Sequence, residues 1–339
     1  MKKLYSAFFV LLTAVSGSYA QQPARFSQYF QNAFTINPAI TGVEGFLDLK
    51  MGYRQQWTGL DSSPQTLYLS AHAPLTSRPS EFAYRNSSLR ISNPSAYDQL
   101  EAPGAVSAQR TVRHGIGGYL YYDQVDLFQQ TSLFASYAAH IRVSPRAQLA
   151  VGLSAGINNG RINTDGLTTA NPDRTLDQFL NQSDGNASLD LNLGLFFYSD
   201  RYYVGYSADR ILRNSIVVST DSVNEQQAIY HYGLFGLRFD LGESLMLLPG
   251  AFVGASSTLP LTYDLNLRLR YEDLAWVGVS YRNSGTLAGM LGLNIDNRFS
   301  VNYSYDYGVG TAVDFRSGTH EIVLGFILFN QQESAPYLW

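Results

Sequence analysis

Gly152-Leu153-Ser154-Ala155-Gly156 matches G-x-S-x-G, the spacing that places a serine nucleophile on a sharp turn between a strand and a helix. His140 lies on the preceding candidate strand, so acyl transfer by a serine–histidine pair, as in a lipid hydrolase, is the first chemistry to weigh. The local pattern argues against it. The motif sits inside an alternating strand, with small residues on one side and no helix after it. Gly115-Ile116-Gly117-Gly118 is glycine-rich but lacks the third glycine and the following helix of a nucleotide-binding turn, and reads as a strand that is packed closely. There is no P-loop and no His-Glu-x-x-His. His72, His114, His140, His231 and His320 are not at metal-ligand spacing, and the expectation for them is hydrogen bonding at strand ends or on polar faces. Asp165-Gly166 and Asp184-Gly185 share a fragment of calcium-loop chemistry without the full ligand series, and read as turns in outer loops. No catalytic residue, cofactor or metal is therefore expected.

The composition narrows the class. The chain has 339 residues, and its net charge is 23 − 27 = −4, which gives no basic excess for nucleic acid. Cysteine is absent, which excludes a disulfide scaffold, a zinc–thiolate site, an iron–sulfur cluster and a cysteine nucleophile. Charged residues are 15%, against roughly 25% in an average soluble domain. Tyr (24), Phe (19) and Gly (29) are abundant, while mean hydropathy is only −0.11, too low for a bundle of membrane helices. These features together suggest a β-rich envelope protein.

Lys2 and Lys3, the apolar run Leu4 to Val15, and small residues at Ser18 and Ala20 have the layout of a secretory signal peptide, residues 1–20, cleaved after Ala20. The apolar core is short for a spanning helix, which needs roughly 20 residues. No later apolar run reaches that length, so any membrane crossing must be made by strands.

The rest of the chain repeats one pattern. Leu261, Tyr263, Leu265, Leu267, Leu269 and Tyr271 alternate with Thr262, Asp264, Asn266, Arg268 and Arg270. Successive side chains of a strand point to opposite faces, so one face is apolar and the other carries charge. The same holds for Leu189 to Tyr198, Arg298 to Tyr307 and Leu47 to Arg54. A soluble sandwich also alternates, but its exposed face is usually rich in Lys, Glu and Thr; here the polar face is poor in Lys and rich in Gly, Ser, Asn, Asp and Arg. Apolar stretches of about 9 to 11 residues match a tilted strand across a bilayer. Tyrosines gather at strand ends, as in an interfacial girdle.

The expected fold is all-β: a single transmembrane antiparallel up-and-down β-barrel of about 14 strands, with 12 or 16 as alternatives. The candidate strands are 46–57, 65–73, 114–123, 129–142, 147–157, 188–198, 201–208, 229–239, 244–255, 261–271, 274–283, 286–295, 298–307 and 320–329. Tight turns at Ser144-Pro145, Ser199-Asp200, Leu241-Gly242, Glu272-Asp273 and Asp296-Asn297 fall on one side, and longer links at 58–64, 158–187, 209–228 and 308–319 on the other. This is the periplasmic-turn, outer-loop asymmetry of outer-membrane barrels. The link 74–113, with Pro74, Pro79, Pro94 and Pro103, breaks the rule: it is a long, mostly irregular periplasmic insertion, or it hides a hairpin around Glu81 to Ile91 that makes sixteen strands, or the strand count before it is off. The barrel occupies 46–329 and a tail 330–339 follows.

The polar face carries both signs: Asp48, Arg54, His140, Arg142, Asp190, Asp264, Arg268, Arg270, Arg282, Arg298 and Asp306. Such charges either pair and close the lumen or line a water-filled pore. Residues 21–45 precede the first strand and either insert into the barrel as a plug, with Phe26 to Gly42 as the insert, or stay periplasmic.

A series of short motifs runs through the mature chain. It opens with Phe26-Ser27-Gln28-Tyr29, Asn32, Ile36-Asn37-Pro38-Ala39 and Gly42, then Tyr53-Arg54-Gln55-Gln56-Trp57 with Gly59, Pro64 and Thr66. Tyr137-Ala138-Ala139-His140-Ile141, Tyr203-Val204-Gly205-Tyr206-Ser207, Trp276 to Arg282, Tyr303-Ser304-Tyr305-Asp306-Tyr307 and Gly318-Thr319-His320-Glu321 follow. In this order the sequence resembles the PorP/SprF family of type IX secretion outer-membrane proteins of the Bacteroidota, over nearly the whole mature chain, with an expanded 74–113 link and an added tail. The resemblance implies a non-enzymatic outer-membrane barrel that assists export and surface anchoring of a large secreted protein or adhesin, including those of gliding motility. The implied partner is the C-terminal domain of that substrate, with periplasmic ring components as further partners, membrane lipid around the wall and no nucleic acid. Candidate partner-contact or lumen residues are Phe26, Gln28, Tyr29, Asn37, Pro38, Arg54, Trp57, His140, Arg282, Asp306, His320 and Glu321. The alternative function is a passive porin or uptake channel.

Overall fold

The computed structural model describes residues 26–59, 62–75, 112–144, 146–162, 186–215, 228–296, 298–309 and 318–330. The signal peptide, the body of the 74–113 link, Asp165-Gly166, Asp184-Gly185 and nearly all of the tail lie outside them.

Fifteen strands follow two short 3₁₀ turns, Tyr29–Thr35 and Pro38–Ile40. They are β1 (Leu47–Gln55), β2 (Gln65–Pro74), β3 (Val112–Val125), β4 (Phe128–Ser144), β5 (Ala147–Ile162), β6 (Asn186–Ser199), β7 (Tyr202–Ser215), β8 (Tyr230–Leu237), β9 (Phe239–Asp240), β10 (Leu245–Ser256), β11 (Thr262–Tyr271), β12 (Ala275–Arg282), β13 (Thr286–Asp296), β14 (Phe299–Gly308) and β15 (Thr319–Leu328). β9 continues β8 past Arg238 against the same neighbour, β10, so the wall has fourteen staves. Every stave pairs antiparallel with the next in sequence. β15 closes on β1, with Leu47 opposite Leu328 and Gln55 opposite His320. Closure removes the free edges that lipid cannot satisfy.

The alternation decides between barrel and sandwich. Along β11 the residues from Thr262 to Tyr271 are buried and exposed in strict turn. The buried set is Thr262, Asp264, Asn266, Arg268 and Arg270; the exposed set is Tyr263, Leu265, Leu267, Leu269 and Tyr271. An apolar outside around a polar inside is the reverse of a soluble sandwich and is what a bilayer requires. Among the described residues no helix is long and apolar enough to cross a membrane. The crossing is made by strands. Leu267→Arg puts a cation on the lipid face near mid-depth and is expected to cost about 2–4 kcal/mol. Thr258→Arg, exposed between β10 and β11, is expected to change stability by less than about 0.5 kcal/mol. Urea titration of the barrel refolded in phospholipid vesicles separates the two.

All fourteen expected strands are present, but β5, β6 and β7 run further than hydropathy predicts. β5 continues through Asn158, Asn159 and Gly160, which pair with Ser132, Thr131 and Gln130 of β4. Backbone pairing needs no apolar side chain, so the ladder outlasts the lipid-facing belt. Of the tight turns expected at one end, those at Ser199-Asp200, Leu241-Gly242 and Glu272-Asp273 are present, while Pro145 and Asn297 of the remaining two lie outside the described residues. At the other, the β3–β4 connection is also tight, with Val125 opposite Phe128 and Asp126 at φ 55°.

Candidate functional site

Residues 26–46 run through the middle of the barrel. Ser27 bonds β14 and β15, Tyr29 touches β11, Asn37 bonds β6 and β7, Thr41 bonds β4, and Gly42 bonds β2. Only a segment inside the cylinder can reach strands on all sides. Its apolar side chains Tyr29, Phe30, Phe34, Ile40 and Val43 form one cluster with inward aromatics of the wall, among them Phe196, Tyr198, Tyr203, Phe252 and Trp276. Phe30 lies edge-on to Trp276, and the Arg268 guanidinium sits 3.8 Å above the Phe30 ring. The segment enters near the loop-bearing end, where Ser27 meets the end of β1, the end of β14 and the start of β15. It leaves at the turn-bearing end, where Phe46 leads into β1.

An ionic cluster holds the upper part. Arg54 Nη1 donates to Glu321 Oε2 at 2.9 Å, and Nη2 donates to Asp306 Oδ2 at 2.8 Å. Glu321 also accepts from two consecutive main-chain amides, Ser27 N at 2.9 Å and Gln28 N at 3.0 Å. The Ser27 hydroxyl donates to Asp306 at 2.6 Å. Arg282 reaches Ser27 Oγ at 3.3 Å and Asp264 at 3.4 Å. Arg54, Asp306 and Glu321 are all buried, so each carboxylate depends on its guanidinium and amide partners.

The lower part is fitted to the wall through backbone. Asn37 caps the second 3₁₀ turn by accepting from Ala39 N, and its Nδ2 donates to the carbonyls of Leu195 (2.9 Å) and Tyr206 (3.2 Å). His140 Nε2 donates to the Thr41 carbonyl at 2.9 Å, and its Nδ1 lies 2.7 Å from the Tyr198 hydroxyl, which also bonds Gln148 Oε1 at 2.8 Å. Gly42 N donates to His72 Nδ1 at 3.1 Å, and Arg113 donates to the Val43 carbonyl at 2.7 Å. Three wall glycines make room: a Cβ on Gly115, Gly152 or Gly194 would lie 2.0–2.2 Å from Thr41 O, Ala39 N or Asn37 Oδ1. Gly42 itself has φ +71° and faces Gly115, so neither position tolerates a side chain. Asn37→Ala removes the cap and both wall bonds. Chymotrypsin cleavage of the segment in detergent, at Tyr29, Phe30 or Phe34, is expected to quicken as docking weakens by about 1–3 kcal/mol.

The hydrolase pair is not assembled. Both side chains face the lumen, but His140 pairs with Ala150 and Ser154 with Ser136. Four register positions, about 13 Å along the sheet, separate them. Ser154 Oγ accepts from Asn192 instead. Among the described residues, no group of three or more His, Asp or Glu is placed to hold a metal ion.

Of the candidate residues, Phe26, Gln28, Tyr29, Asn37, Pro38, Arg54, His140, Arg282, Asp306 and Glu321 meet inside the barrel. Phe26 packs on Tyr68 and Tyr121. Two do not join them. Trp57 lies in the β1–β2 connection at φ 53°, its N–H donating to Thr319 Oγ1. His320 faces outward, 2.7 Å from the Tyr303 hydroxyl. His114 and His231 make the same outward pairing with Tyr137 and Tyr206. Sequence reasoning missed Arg113 and Tyr198 as partners in this site, and it named His72 only as a polar-face histidine and Thr41 only as part of the Phe26 to Gly42 insert. No local pattern singles them out, because each acts across the lumen.

The comparisons with known proteins bear on this geometry. Residues 18–326 match the family described as type IX secretion system membrane protein PorP/SprF. The chain belongs to the PorP/SprF family. This PorP/SprF protein is thus an outer-membrane β-barrel of the type IX secretion system, and both the family and the barrel fold accord with a non-enzymatic role. No curated protein matches the chain. Among solved structures it is similar to the CymD monoaromatic hydrocarbon channel (12% identity, TM-score 0.44, covering 89% of this chain and 92% of that one). It is also similar to Omp33 of Acinetobacter baumannii (12%, 0.43, 85% and 100%) and to the toluene transporter TbuX of Ralstonia pickettii (9%, 0.42, 87% and 92%). At these scores the likenesses say nothing about what this barrel binds.

Proposed function

We propose that this PorP/SprF barrel is a closed, non-catalytic partner in export, which holds the C-terminal domain of a cognate secreted protein or adhesin at its loop-bearing end and so anchors it at the surface. Its periplasmic side, including the 74–113 link, would contact ring components of the secretion machine. The supporting observation is the filled lumen. Inward residues on opposite sides, Asp264, Asn266 and Arg268 on β11 and Ser136 and His140 on β4, are each less than a tenth exposed, with residues 26–46 packed between them. A passive channel keeps such residues in water. A barrel filled in this way is better suited to recognising protein than to passing solute.

Cross-linking in native envelopes, followed by mild-detergent purification and mass spectrometry, tests the reading. Recovery of a large secreted protein through its C-terminal domain supports it. Recovery of periplasmic subunits alone makes the barrel a fixed part of the machine. Steady ion conduction by the purified wild-type protein in a planar bilayer, with no protein recovered, sinks it in favour of the porin.

A further inference from the structure

We infer that the plug is hinged: residues 26–35 form a releasable upper half and residues 36–46 a fixed lower half. The two halves are held by different physics. The lower half sits on glycine seats at Gly115, Gly152 and Gly194, so its backbone touches the wall along β3, β5 and β6. Its polar groups are matched one by one: Ile36 O by Ser207, Asn37 by two carbonyls, Thr41 by Ser136 and His140, Gly42 N by His72, and Val43 O by Arg113.

The upper half is held by wall side chains rather than by glycine seats: the Arg54–Asp306–Glu321 cluster on Ser27 and Gln28, Asn266 on Tyr29, Asn302 on Gln31, Ser70 on Asn32 and Tyr121 on Thr35. Apart from Phe26 and Asn32–Thr35, which lean on β2 and β3, its anchors lie on β1 and β10–β15. Around them, polar atoms are buried without a partner in the protein. Gln28 has neither Oε1 nor Nε2 satisfied, and on the facing wall Ser304 Oγ, Asp306 Oδ1, Arg54 Nε and Arg282 Nε are in the same state. Among the described residues, no side-chain atom of 36–46 is left this way, and on the wall beside it Arg113 Nε is. Release of the upper half lets water reach these atoms and leaves the lower half's bonds to the wall in place. The backbone is irregular at Asn32, within the upper half, and two main-chain bonds to Ala33 cross the boundary between the halves. Asn32 has non-helical φ −132°, ψ 44° within the first 3₁₀ turn, and Ile36 N and Asn37 N both bond back to Ala33 O.

Release would free Tyr29 from Asn266 and Phe30 from Trp276 and Arg268. A polar cleft would then open from the loop-bearing end along β11–β15, while β3–β7 stay covered. The device does not depend on which protein is exported.

The natural chain has no cysteine, so single-thiol reporters read each half cleanly. Ser27→Cys reports on the upper half and Thr41→Cys on the lower, each labelled with a membrane-impermeant maleimide in proteoliposomes. Each is combined with Glu321→Gln and, as a second wall variant, with Asp306→Asn, and heat-modifiable gel mobility confirms the folded barrel. The expected result is labelling at Ser27→Cys faster by about tenfold or more, with Thr41→Cys within about twofold of its starting rate. Equal acceleration at both sites would show a plug that moves as one piece and overturn the hinge. So would unchanged labelling at Ser27→Cys in both wall variants.

Discussion

Replacing Arg54 with methionine is expected to destabilise the folded barrel by about 3–5 kcal/mol, the cost of removing one partner from a buried ion cluster. Arg54 is the one guanidinium that bonds both Asp306 and Glu321, at 2.8 and 2.9 Å. Methionine keeps the length and apolar stem of the side chain but leaves two carboxylates facing each other inside a filled lumen. Ser27 and its main-chain amide cannot neutralise them. The same three residues join β1, β14 and β15, so the loss is felt at the seam where the barrel closes. Urea-induced unfolding in lipid vesicles measures the change. A triple variant, Arg54→Met with Asp306→Asn and Glu321→Gln, should recover much of the loss, because no buried charge is then left alone. If the single variant is as stable as the wild type, the cluster contributes nothing and the ionic account of the upper plug is wrong.

The second large effect is expected from the glycine seats. In Gly152→Ala with Gly194→Ala, the new methyl groups would lie 2.2 Å from Ala39 N and 2.0 Å from Asn37 Oδ1. These contacts are far inside van der Waals distance, and the obstructing atoms are backbone or a side chain already bonded to it. The wall itself has no objection, since alanine suits an inward strand position at least as well as glycine. The barrel should therefore close with unchanged strand content while the plug loses its lower seat. Conductance in a planar bilayer should rise well above that of a wild-type barrel closed by its plug. Protease should also cut within residues 26–46. Unaltered conductance with a folded wall would mean that the lumen is closed by something other than this segment.

The existence of the wall was legible in the residues. Period-two alternation is local, and so is the contrast between Leu265-Leu267-Leu269 and Asp264-Asn266-Arg268, so β11 and its neighbours could be drawn with their lipid-facing side assigned. Turn chemistry at Ser199-Asp200 and Glu272-Asp273 set the hairpin register for the same reason. The strand ends were less legible. Asn158 to Arg161 carry no apolar alternation, and their strand character comes from the neighbour they bond.

What only the tertiary structure decided is the site. Residues 26–46 have no periodicity, and nothing near them in sequence says what they touch. Ser27 bonds Glu321 across 294 positions and Asn37 bonds Tyr206 across 169, contacts that exist only because β15 returns to β1 and the wall closes around the segment. The roles of Gly152 and Gly194 are invisible for the same reason: a glycine in a strand shows its purpose only when another backbone lies against it. The outward turn of His320 came from the register of β15 against β14, which sets it beside Tyr303 and Tyr305 on the lipid-facing side. Local pattern determined the barrel because side-chain hydropathy and strand geometry are properties of neighbours in sequence; closure determined the plug because its partners are neighbours only in space.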